Sequence, residues 1–465
     1  MDKMPVGTRV LATAMAALLF TAAGYAAAPT AYDQKLTVLA GVENNLRPHF
    51  EDPDTSSGFS CVLVSGPSHG SITFTGTTPS SMYMKYTPSG GYTVADSWTW
   101  KVNDGSADSN TATCSVLVRA KGSTGNRTVL IVVKSTLLAE INAEVNQLRA
   151  DLINDGYQAE ILSCTAGDAA TLWNYLKTQY WQAGRWVAGA VLIGQLPFAF
   201  SETTSERTDF VYMNLEKYRQ TTYCNFNMWV SRIWALSVSG SELMFGSEAE
   251  LVKRALRTNH EYRRGIARLP YNTYVVDTAY PNLHPDYSPN ALDIWPSVEV
   301  ARPYIAWPKA GDFMEEQSHG QRDGYDPDYN IEGSSYVAKL PYRIGTWKIH
   351  DYLAQIRYAV CCSCASGYPG GVVNNQIFTR YGGNVLSIGA TETTYSEWVM
   401  TLRNTTTAQN LRGLLNDGDT WGDALIVYQP FTDVYRLVFY GDLSMKPMHA
   451  GPSASNQMPA VNTLT

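Results

Sequence analysis

Charge and long apolar runs are both scarce in this chain. Asp, Glu, Lys and Arg make up 17% of its 465 residues, the net charge is −7, and Lys and Arg form no run longer than two residues. Binding to a nucleic-acid backbone normally needs a clustered basic surface. The composition therefore argues against a nucleic-acid partner.

A single apolar segment lies near the N-terminus, and no later run approaches the roughly 18 residues of a membrane-spanning helix. Lys3 and Arg9 precede the apolar residues 10–23, and small residues follow up to Ala28. This order of basic, apolar and small residues is typical of a secretory signal peptide. We therefore predict a signal peptide over residues 1–28, a secreted protein in the periplasm or outside the cell, and no membrane span.

Motifs for zinc chemistry are also missing. His-Glu-x-x-His does not occur, nor does a pair of Cys-x-x-Cys motifs, so zinc has no ligand set at its usual spacing. The chain has seven cysteines, and because this number is odd, at least one thiol stays unpaired within a monomer. Cys361, Cys362 and Cys364 lie close together, which makes this group the first place to look for a reactive thiol.

Residues 32–120 are rich in Thr, Ser, Gly and Pro and contain short runs of alternating apolar residues, clearest at 82–86, 98–102 and 112–118. Period-two alternation with turns between the runs is typical of an antiparallel β-sandwich. Cys61 and Cys114 both fall on inward positions of this pattern. Two readings follow, a disulfide across the sandwich or a pair of buried thiols.

Short motifs give the same segment a family resemblance. It contains S-G-P-S-H-G at 65–70, Y-T-P at 86–88, D-S-W at 96–98 and V-N-D-G at 102–105. In this order they resemble the cadherin-like (Ig-like) repeats of bacterial surface and secreted proteins. The resemblance implies contact with a cell surface or matrix, and a structural Ca²⁺ ion held by acidic side chains at one end of the sandwich. The candidates are Glu43, Asp52, Asp54, Asp104 and Asp108, although Asp is also an ordinary turn former.

From residue 128 onwards the pattern changes to alternating strands and helices. A short linker of flexible composition, 121–127, leads into the continuous apolar run 128–133, typical of a strand buried on both faces. Apolar residues at helical spacing follow up to Gly156, and then come a strand over 157–164, a helix over 168–182 and a strand over 187–194. We predict a three-layer α/β domain with a mostly parallel sheet over residues 128–449 and a short polar tail over 450–465.

Several segments of this region occur in the order of a second family. They are V-A-G-A-V-L-I-G-Q-L-P at 187–197, W-V-S-R-I at 229–233, G-G-N-V-L-S-I-G-A-T at 382–391 and G-D-L-S-M-K-P at 441–447. Together they resemble the gingipain-like (C25) cysteine peptidases of the caspase-hemoglobinase fold. The resemblance implies a caspase-like fold, a protein or peptide substrate, hydrolysis through a Cys-His dyad, and no required cofactor.

The resemblance also implies where the nucleophile lies. In caspase-type enzymes it is a Cys that follows a parallel strand, where glycines let the substrate carbonyl reach backbone N–H groups. The strand-like run 357–361 leads to Cys364-Ala365-Ser366-Gly367, which matches the family's Cys-x-Ser-Gly turn. Cys364 is therefore the candidate nucleophile and Cys362 the reserve. The alternative is a buried strand that is rich in small sulfur residues.

A nucleophilic thiol needs a basic or cationic neighbour, which the family supplies from a His-Gly turn. His319 precedes Gly320 and lies 45 residues before Cys364, near the spacing of caspases. Its own segment, 311–317, resembles a helix or loop, whereas the best preceding strand, 335–340, is followed by no His. His319 is thus either the general base, with oxyanion donors at Gly320 and Cys364, or a surface residue, and His350 is a weaker candidate.

Two functions from different classes remain open on the sequence alone. The first is a secreted cysteine endopeptidase, in which Asp209, Glu392 and Glu397 are candidates for selecting a basic substrate side chain. The second is a catalytically degenerate relative, whose α/β domain is a scaffold while the sandwich binds a surface glycan or a protein. A fold resemblance cannot choose between them, because one fold hosts many functions.

Overall fold

A computed structural model describes the chain over residues 27–202, 207–221, 223–233, 247–266, 411–427 and 437–447, and describes the strands listed below between residues 272 and 390. The predicted signal peptide, apart from residues 27 and 28, and the predicted tail lie outside these residues. In the described part of the chain, no helix is both long enough and apolar enough to cross a membrane.

The N-terminal region is a β-sandwich. Its strands are β1 (Thr30–Ala31), β2 (Gln34–Leu39), β3 (Asn44–Leu46), β4 (Phe50–Glu51), β5 (Ser60–Ser65), β6 (Gly70–Thr75), β7 (Tyr83–Pro88), β8 (Ala95–Asn103) and β9 (Ala112–Arg119). They form sheets in the orders β2-β9-β8-β5 and β3-β7-β6, while β1 pairs with β4. Every inward residue of the three predicted alternating runs is buried in the core between the sheets, which confirms the sandwich.

One pairing in the sandwich differs from the predicted antiparallel arrangement. β2 and β9 run parallel, with Gln34 opposite Cys114 and Leu39 opposite Arg119. Only strands that are joined by a tight turn are required to run antiparallel. Because β2 and β9 are separated by the rest of the sandwich in sequence, their relative direction is free of that restriction.

Of the two readings of Cys61 and Cys114, the disulfide is wrong, because both thiols are free. Cys61 lies on β5 and Cys114 on β9, and these strands belong to one sheet with β8 between them. Two strand spacings separate the Cα atoms by about 9.5 Å or more. A disulfide needs Cα atoms within about 7 Å. Alternation showed that both residues face inward, but it did not show that they share a sheet.

The second region is an α/β domain. Its first half contains β10 (Thr128–Lys134), α1 (Ser135–Leu138), α2 (Asn142–Asn154), β11 (Gln158–Cys164), α3 (Ala169–Tyr180), β12 (Val187–Ile193), β13 (Ala199–Phe200), β14 (Arg207–Thr208), α4 (Phe210–Met213), β15 (Trp229–Ile233) and α5 (Glu248–Arg263). Local signals set the helix ends. The Asp168 carboxylate caps α3, Ser247 and Glu250 form a capping box on α5, and Gly156 after α2 has φ +93°.

The second half is built mainly from strands among the described residues. They are β16 (Asn272–Asp277), β17 (Ser297–Val300), β18 (Gly311–Gln317), β19 (His319–Gln321), β20 (Gly324–Asp326), β21 (Asp328–Asn330), β22 (Val337–Lys339), β23 (Ile344–Gly345), β24 (Ile356–Cys361), β25 (Leu386–Ala390) and β26 (Leu437–Gly441), with α6 (Leu411–Asn416) and α7 (Trp421–Val427) between the last two strands.

Ten of these strands form one sheet in the order β11-β10-β12-β15-β26-β25-β24-β18-β16-β17. Neighbours are parallel everywhere except at β25 and β26, which pair antiparallel. The sheet therefore has two parallel halves that run in opposite directions, and their carboxyl ends lie at opposite edges. This topology confirms the predicted fold class, a β-sandwich followed by an α/β domain with a mostly parallel sheet.

Trp229 fixes the packing between the sheet and α7. Its ring is fully buried and lies between two glycines, Gly189 on β12 and Gly422 on α7. A Cβ atom added at Gly189 would lie 1.9 Å from a ring atom of Trp229, and one added at Gly422 would lie 2.4 Å from the ring. The large side chain thus requires both glycines.

We expect Gly189→Ala to lower the free energy of unfolding by about 1–3 kcal/mol or more, because the overpacked ring must shift within a dense core. Urea denaturation followed by circular dichroism measures the loss. The matched control is Gly90→Ala, where no atom lies within 4 Å of the added Cβ atom. Equal stability of the two variants would contradict the packing described for Trp229.

The predicted linker is held in place rather than flexible. The Gly122 N–H donates to the Asp419 carboxylate, Lys121 pairs with Asp417 at 2.7 Å, and Lys446 donates to the Gly122 carbonyl at 3.0 Å. Gly122 has φ +69°, and a Cβ atom there would lie 2.6 Å from a backbone oxygen. Gly122 therefore allows a turn that contacts the α/β domain. The composition of the linker alone had indicated flexibility.

The sandwich is joined to the α/β domain by buried polar contacts. Asn225 is fully buried and exchanges two 2.8 Å hydrogen bonds with the backbone of Arg47. The Lys35 ammonium donates to the carbonyls of Tyr180, Gln182 and Arg185 at the C-terminal end of α3. A cation is favourable there because the last carbonyls of a helix lack partners. These contacts fix the position of the sandwich on the domain.

A buried charge cluster forms the strongest part of this interface. Arg119, at the end of β9, makes a bidentate contact with Asp419 at 2.7 and 2.9 Å, and both side chains are fully buried. Arg127 contacts Asp423 at 2.6 Å, and the Tyr157 hydroxyl donates to the same carboxylate at 2.9 Å. Burial alone would raise the pKa of Asp423, but Arg127 and Arg119 hold it below its usual value.

Glu216 gives the same interface a dependence on pH. Burial raises the pKa of its carboxyl to about 7, although it accepts a 3.0 Å hydrogen bond from Gln34 and Lys177 lies nearby. Because the folded protein holds the proton more tightly than the unfolded chain, this group stabilises the fold most at acidic pH. Stability is then lost as the pH rises from about 4.5 towards 7.

We expect Glu216→Gln to remove roughly 2–3 kcal/mol of the stability difference between pH 5 and pH 8, since one pKa unit corresponds to about 1.4 kcal/mol. The measurement is urea denaturation of wild type and variant at both pH values. The exposed Glu140→Gln is the control and should leave the difference unchanged. A Glu216→Gln protein that loses as much stability as the wild type between these pH values would refute the assignment.

Candidate functional site

The candidate site lies at the edge of the sheet where β18 and β24 end. Residues 311–317, which the sequence indicated as helix or loop, form the strand β18. Within the expected strand 335–340, the described residues 337–339 are strand, and they pair with β21 outside the main sheet. The strand before the cysteine strand in the sheet is therefore β18, the strand that His319 follows.

The register of β18 and β24 aligns the ends of the strands that precede the two candidate residues in the sequence. β18 and β24 are parallel neighbours, and Glu316 lies opposite Cys361. His319 comes three residues after Glu316 in the chain, and Cys364 comes three residues after Cys361. Parallel strands release their following loops at the same edge of a sheet. His319 thus follows the strand that is the sheet neighbour of the cysteine strand β24.

The backbone of His319 and Gly320 belongs to a small sheet beside this edge. His319–Gln321 pairs antiparallel with Gly324–Asp326, and that strand pairs in turn with Ile344–Gly345. The His-Gly segment is thereby tied to two further strands rather than lying in a long free loop. Cys362, Cys364, His350, Glu392 and Glu397 lie outside the described residues.

The other cysteines of the described region are poor nucleophiles. Burial raises the pKa of Cys61 to about 12, and burial also raises the pKa of the Cys114, Cys164 and Cys224 thiols above their usual value. Only the thiolate is strongly nucleophilic, so these four thiols are unreactive near neutral pH. The cysteines near residue 362 are left as the candidates for covalent chemistry.

Three of the remaining histidines make side-chain contacts that stabilise the fold. His260 Nδ1 lies 2.9 Å from the Asp151 carboxylate between α5 and α2. His69 stacks on Tyr92 with ring centroids 4.1 Å apart. His49 stacks on Tyr32, and burial lowers its pKa to about 4.

Asp209 is excluded as a selector of basic substrate side chains. Its carboxylate is fully buried and receives 2.8 Å hydrogen bonds from Arg232 on β15. Arg232 also donates to the carbonyls of Leu196 and Pro197 at 2.7 Å. The pair holds the loop after β12, and no charge is left for a ligand. The sequence around Asp209 gave no sign that its partner is Arg232, which lies 23 residues later.

The predicted calcium ligands are not gathered into a site. Across the described residues, no group of three or more His, Cys, Asp or Glu side chains is placed to hold a metal ion. Asp52 accepts from the N–H groups of Asp54 and Thr55, and Asp104 accepts from those of Ser106 and Ala107. Asp108 contacts Asn103, and Glu43 pairs with Lys85. Asp52 and Asp104 therefore act as turn formers.

One motif in the sandwich has the residue spacing that is typical of a serine hydrolase. Residues 66–70 read Gly-Pro-Ser-His-Gly, the Gly-x-Ser-x-Gly spacing of a nucleophile elbow. That elbow joins a strand to a helix, whereas this segment joins strands β5 and β6. The N–H groups of Ser68 and His69 both donate to the Asp96 carboxylate at 3.0 Å. The segment is therefore a capped turn.

Comparison with known proteins gives a sequence-family match for the sandwich and only structural similarities for the rest of the chain. Residues 26–117 match the family model of the bacterial Ig domain. No curated protein sequence matches the chain. A structure described only as a protease is similar at 12% identity and TM-score 0.48, covering 71% of this chain and 80% of its own. The Arg-specific cysteine proteinase gingipain R is similar at 14% identity and TM-score 0.47, covering 69% and 78%.

A third solved structure is the complex of the pro- and mature domains of RgpB from Porphyromonas gingivalis. It has 12% identity and TM-score 0.46, and covers 68% of this chain and 79% of its own. Similarities at this level of identity and TM-score do not identify catalytic residues. The chain is thus similar to a bacterial Ig domain over residues 26–117 and, more distantly, to cysteine proteinase structures over most of its length.

Proposed function

We propose that the protein is a secreted cysteine endopeptidase, with Cys364 as the nucleophile and His319 as the general base and acid. The observation that supports this proposal is the parallel pairing of β18 and β24, with Glu316 opposite Cys361. In the sequence, His319 and Cys364 each come three residues after one member of this pair. We expect the loops after two neighbouring parallel strands to bring a base and a nucleophile together, as covalent catalysis requires.

The proposed reaction follows from these roles. His319 takes the proton of Cys364, and the thiolate attacks the carbonyl carbon of the scissile peptide bond. Backbone N–H groups at Gly320 and Cys364 stabilise the oxyanion that develops. The C–N bond then breaks as the protonated His319 donates its proton to the leaving amine, which leaves a thioester. Water hydrolyses the thioester and returns the free thiol.

Export and the role of the sandwich belong to the same proposal. The N-terminal segment 1–28 directs secretion and is removed, so the mature protein acts on extracellular or periplasmic proteins. The sandwich is a fixed part of the enzyme, because the buried pair of Arg119 and Asp419 joins it to the α/β domain. We therefore expect it to support the catalytic domain.

The test uses purified protein beginning at residue 29, with casein and a mixed peptide library as substrates. The proposal predicts cleavage that one equivalent of iodoacetamide abolishes, with the carbamidomethyl group located on Cys364 by peptide mass spectrometry. A label on Cys362 that inactivates the protein would move the nucleophile by two residues. Full activity after alkylation of Cys364, or no faster alkylation than that of a free thiol, would refute the proposal.

A binding function of the sandwich is the second candidate, and one observation favours it. Strand β5 lies at the end of its sheet, and Val62, Leu63 and Val64 on it are 40–51% exposed. An edge strand with exposed apolar side chains can pair with an added strand from another protein. Absence of hydrolysis, together with retention on a partner that Leu63→Lys abolishes, would select this function.

A further inference from the structure

A cavity of about 460 Å³ lies at the other edge of the sheet, away from the proposed dyad. It is bounded by residues that follow β10, β11 and β12, namely Lys134, Cys164 and the loop from Gln195 to Phe198. β12 and β24 belong to the two halves of the sheet that run in opposite directions, since β25 and β26 pair antiparallel. The carboxyl ends of β10–β12 are therefore at the edge opposite to the carboxyl end of β24.

The topology at this edge is that of a ligand crevice. β10 is paired with β11 on one side and with β12 on the other, so the chain leaves β10 in one direction and later crosses to its opposite side. In open parallel sheets, ligands bind outside the carboxyl ends of strands where the connections diverge in this way. The volume also lies within the range of small-molecule sites.

The walls of the cavity are held by hydrogen bonds and an ion pair. The Glu248 carboxylate accepts the N–H of Gln195 at 2.7 Å and lies 3.3 Å from the Lys134 ammonium. Arg232 binds the carbonyls of the next two residues and lies 3.7 Å from the centre of the Phe198 ring. A loop fixed in this manner loses little freedom on binding, which favours affinity.

The lining has donors and an apolar side but no acid. Lys134 supplies an ammonium group, Ser135, Thr136 and Thr165 supply hydroxyl groups, and Phe198 supplies an aromatic ring. No carboxylate is found among the described residues that line the cavity. Lys134 is 31% exposed, and an ammonium group has three donors, so its contact with Glu248 leaves donors for a ligand.

We propose that this cavity binds a small organic anion, with its carboxylate at Lys134 and Thr136 and its apolar body against Phe198. The charge-assisted bond to Lys134 gives the selectivity for an anion. The apolar side gives the preference for an organic acid over an inorganic anion. The site is separate from the dyad, and its existence does not depend on the proposed peptidase activity.

Benzoate is the probe, with benzamide as the neutral analogue and inorganic phosphate as the anion that lacks an apolar body. Isothermal titration and saturation-transfer NMR on the mature protein should show saturable binding of benzoate, at least about tenfold weaker binding of both other probes, and unchanged benzoate binding after alkylation of Cys364. Equal binding of benzamide would overturn the role of charge. Equal binding of phosphate would overturn the preference for an organic acid.

Two variants locate the binding. Lys134→Met keeps the apolar stem and removes the charge, and Thr136→Val keeps the shape and removes the hydroxyl group. We expect each to weaken benzoate binding, Lys134→Met at least about tenfold. Lys121→Met is the control, because Lys121 is also in a half-exposed ion pair but lies at the linker. Binding unchanged in both cavity variants, or weakened equally in the control, would overturn the proposal.

Discussion

Cys364→Ala is expected to lower the rate of peptide hydrolysis by at least about 10³-fold, because removal of the nucleophile closes the covalent route. His319→Gln should lower kcat by about 10²–10⁴-fold, since it removes the general base while leaving the strand pairing of residue 319 intact. Both rates are measured with one fluorogenic peptide taken from the cleavage products. The KM should change less than kcat, because neither side chain is expected to bind substrate in its ground state.

Cys362→Ala and His260→Gln are the matched controls. Each removes the same kind of side chain, and the His260 ring contacts the Asp151 carboxylate. We expect both to keep most of the wild-type activity. An inactive Cys362→Ala protein with an active Cys364→Ala protein would assign the reaction to the reserve cysteine. Full activity in the Cys364→Ala protein would contradict the proposed dyad.

Arg119→Met is expected to lower the free energy of unfolding by about 3–5 kcal/mol, because it leaves the Asp419 carboxylate buried without its cation. Both side chains of the pair are fully buried, so solvent does not replace the lost contact. The measurement is urea denaturation of the complete mature protein. We expect one cooperative transition in the wild type, because the pair lies inside the interface between sandwich and domain.

Two further variants test whether the stability lost in Arg119→Met comes from the buried ion pair or from any substitution at the interface. Lys121→Met breaks a half-exposed ion pair with Asp417 in the same linker, where about 0–1 kcal/mol is expected. The double variant Arg119→Met with Asp419→Leu removes both charges and should recover most of the lost stability. If Arg119→Met costs no more than Lys121→Met, the buried pair does not stabilise the interface as described.

Regular patterns in the sequence predicted the fold well. Alternation identified the sandwich, and the continuous apolar run at 128–133 identified the strand β10, because a strand buried on both faces has no polar side. The signal failed for β18. Its sequence, Gly-Asp-Phe-Met-Glu-Glu-Gln, contains too few apolar residues for a buried strand and resembles a helix or loop.

The same failure explains the misplaced histidine. Without β18, His319 had no strand before it, and the short strand Val337–Lys339 took its place as the expected neighbour of β24. Sheet neighbours are set by pairing between distant residues, and this information is not local in sequence. The Cys61 and Cys114 prediction failed for a related reason. Alternation gives the side of a strand, whereas a disulfide depends on which strand is adjacent.

The interface residues had no signal that sequence reasoning could use. Glu216, Asn225 and Arg119 are polar residues in segments that look exposed, yet each is engaged in contacts between the sandwich and the α/β domain. Buried polar residues are tolerated when they find partners, and the partners are up to 300 positions away. Such pairs become visible only once the two domains are docked.

The pH dependence of Cys364 alkylation tests the central claim most directly. Iodoacetamide rates are measured on the mature protein from pH 5 to pH 10, with the modified fraction of Cys364 followed by mass spectrometry in wild type and in His319→Ala. A Cys364–His319 dyad predicts an apparent pKa of Cys364 well below the usual value of about 8.5 in the wild type, and a return to about 8.5 or above in the variant. Identical profiles in the two proteins would contradict a Cys364–His319 dyad.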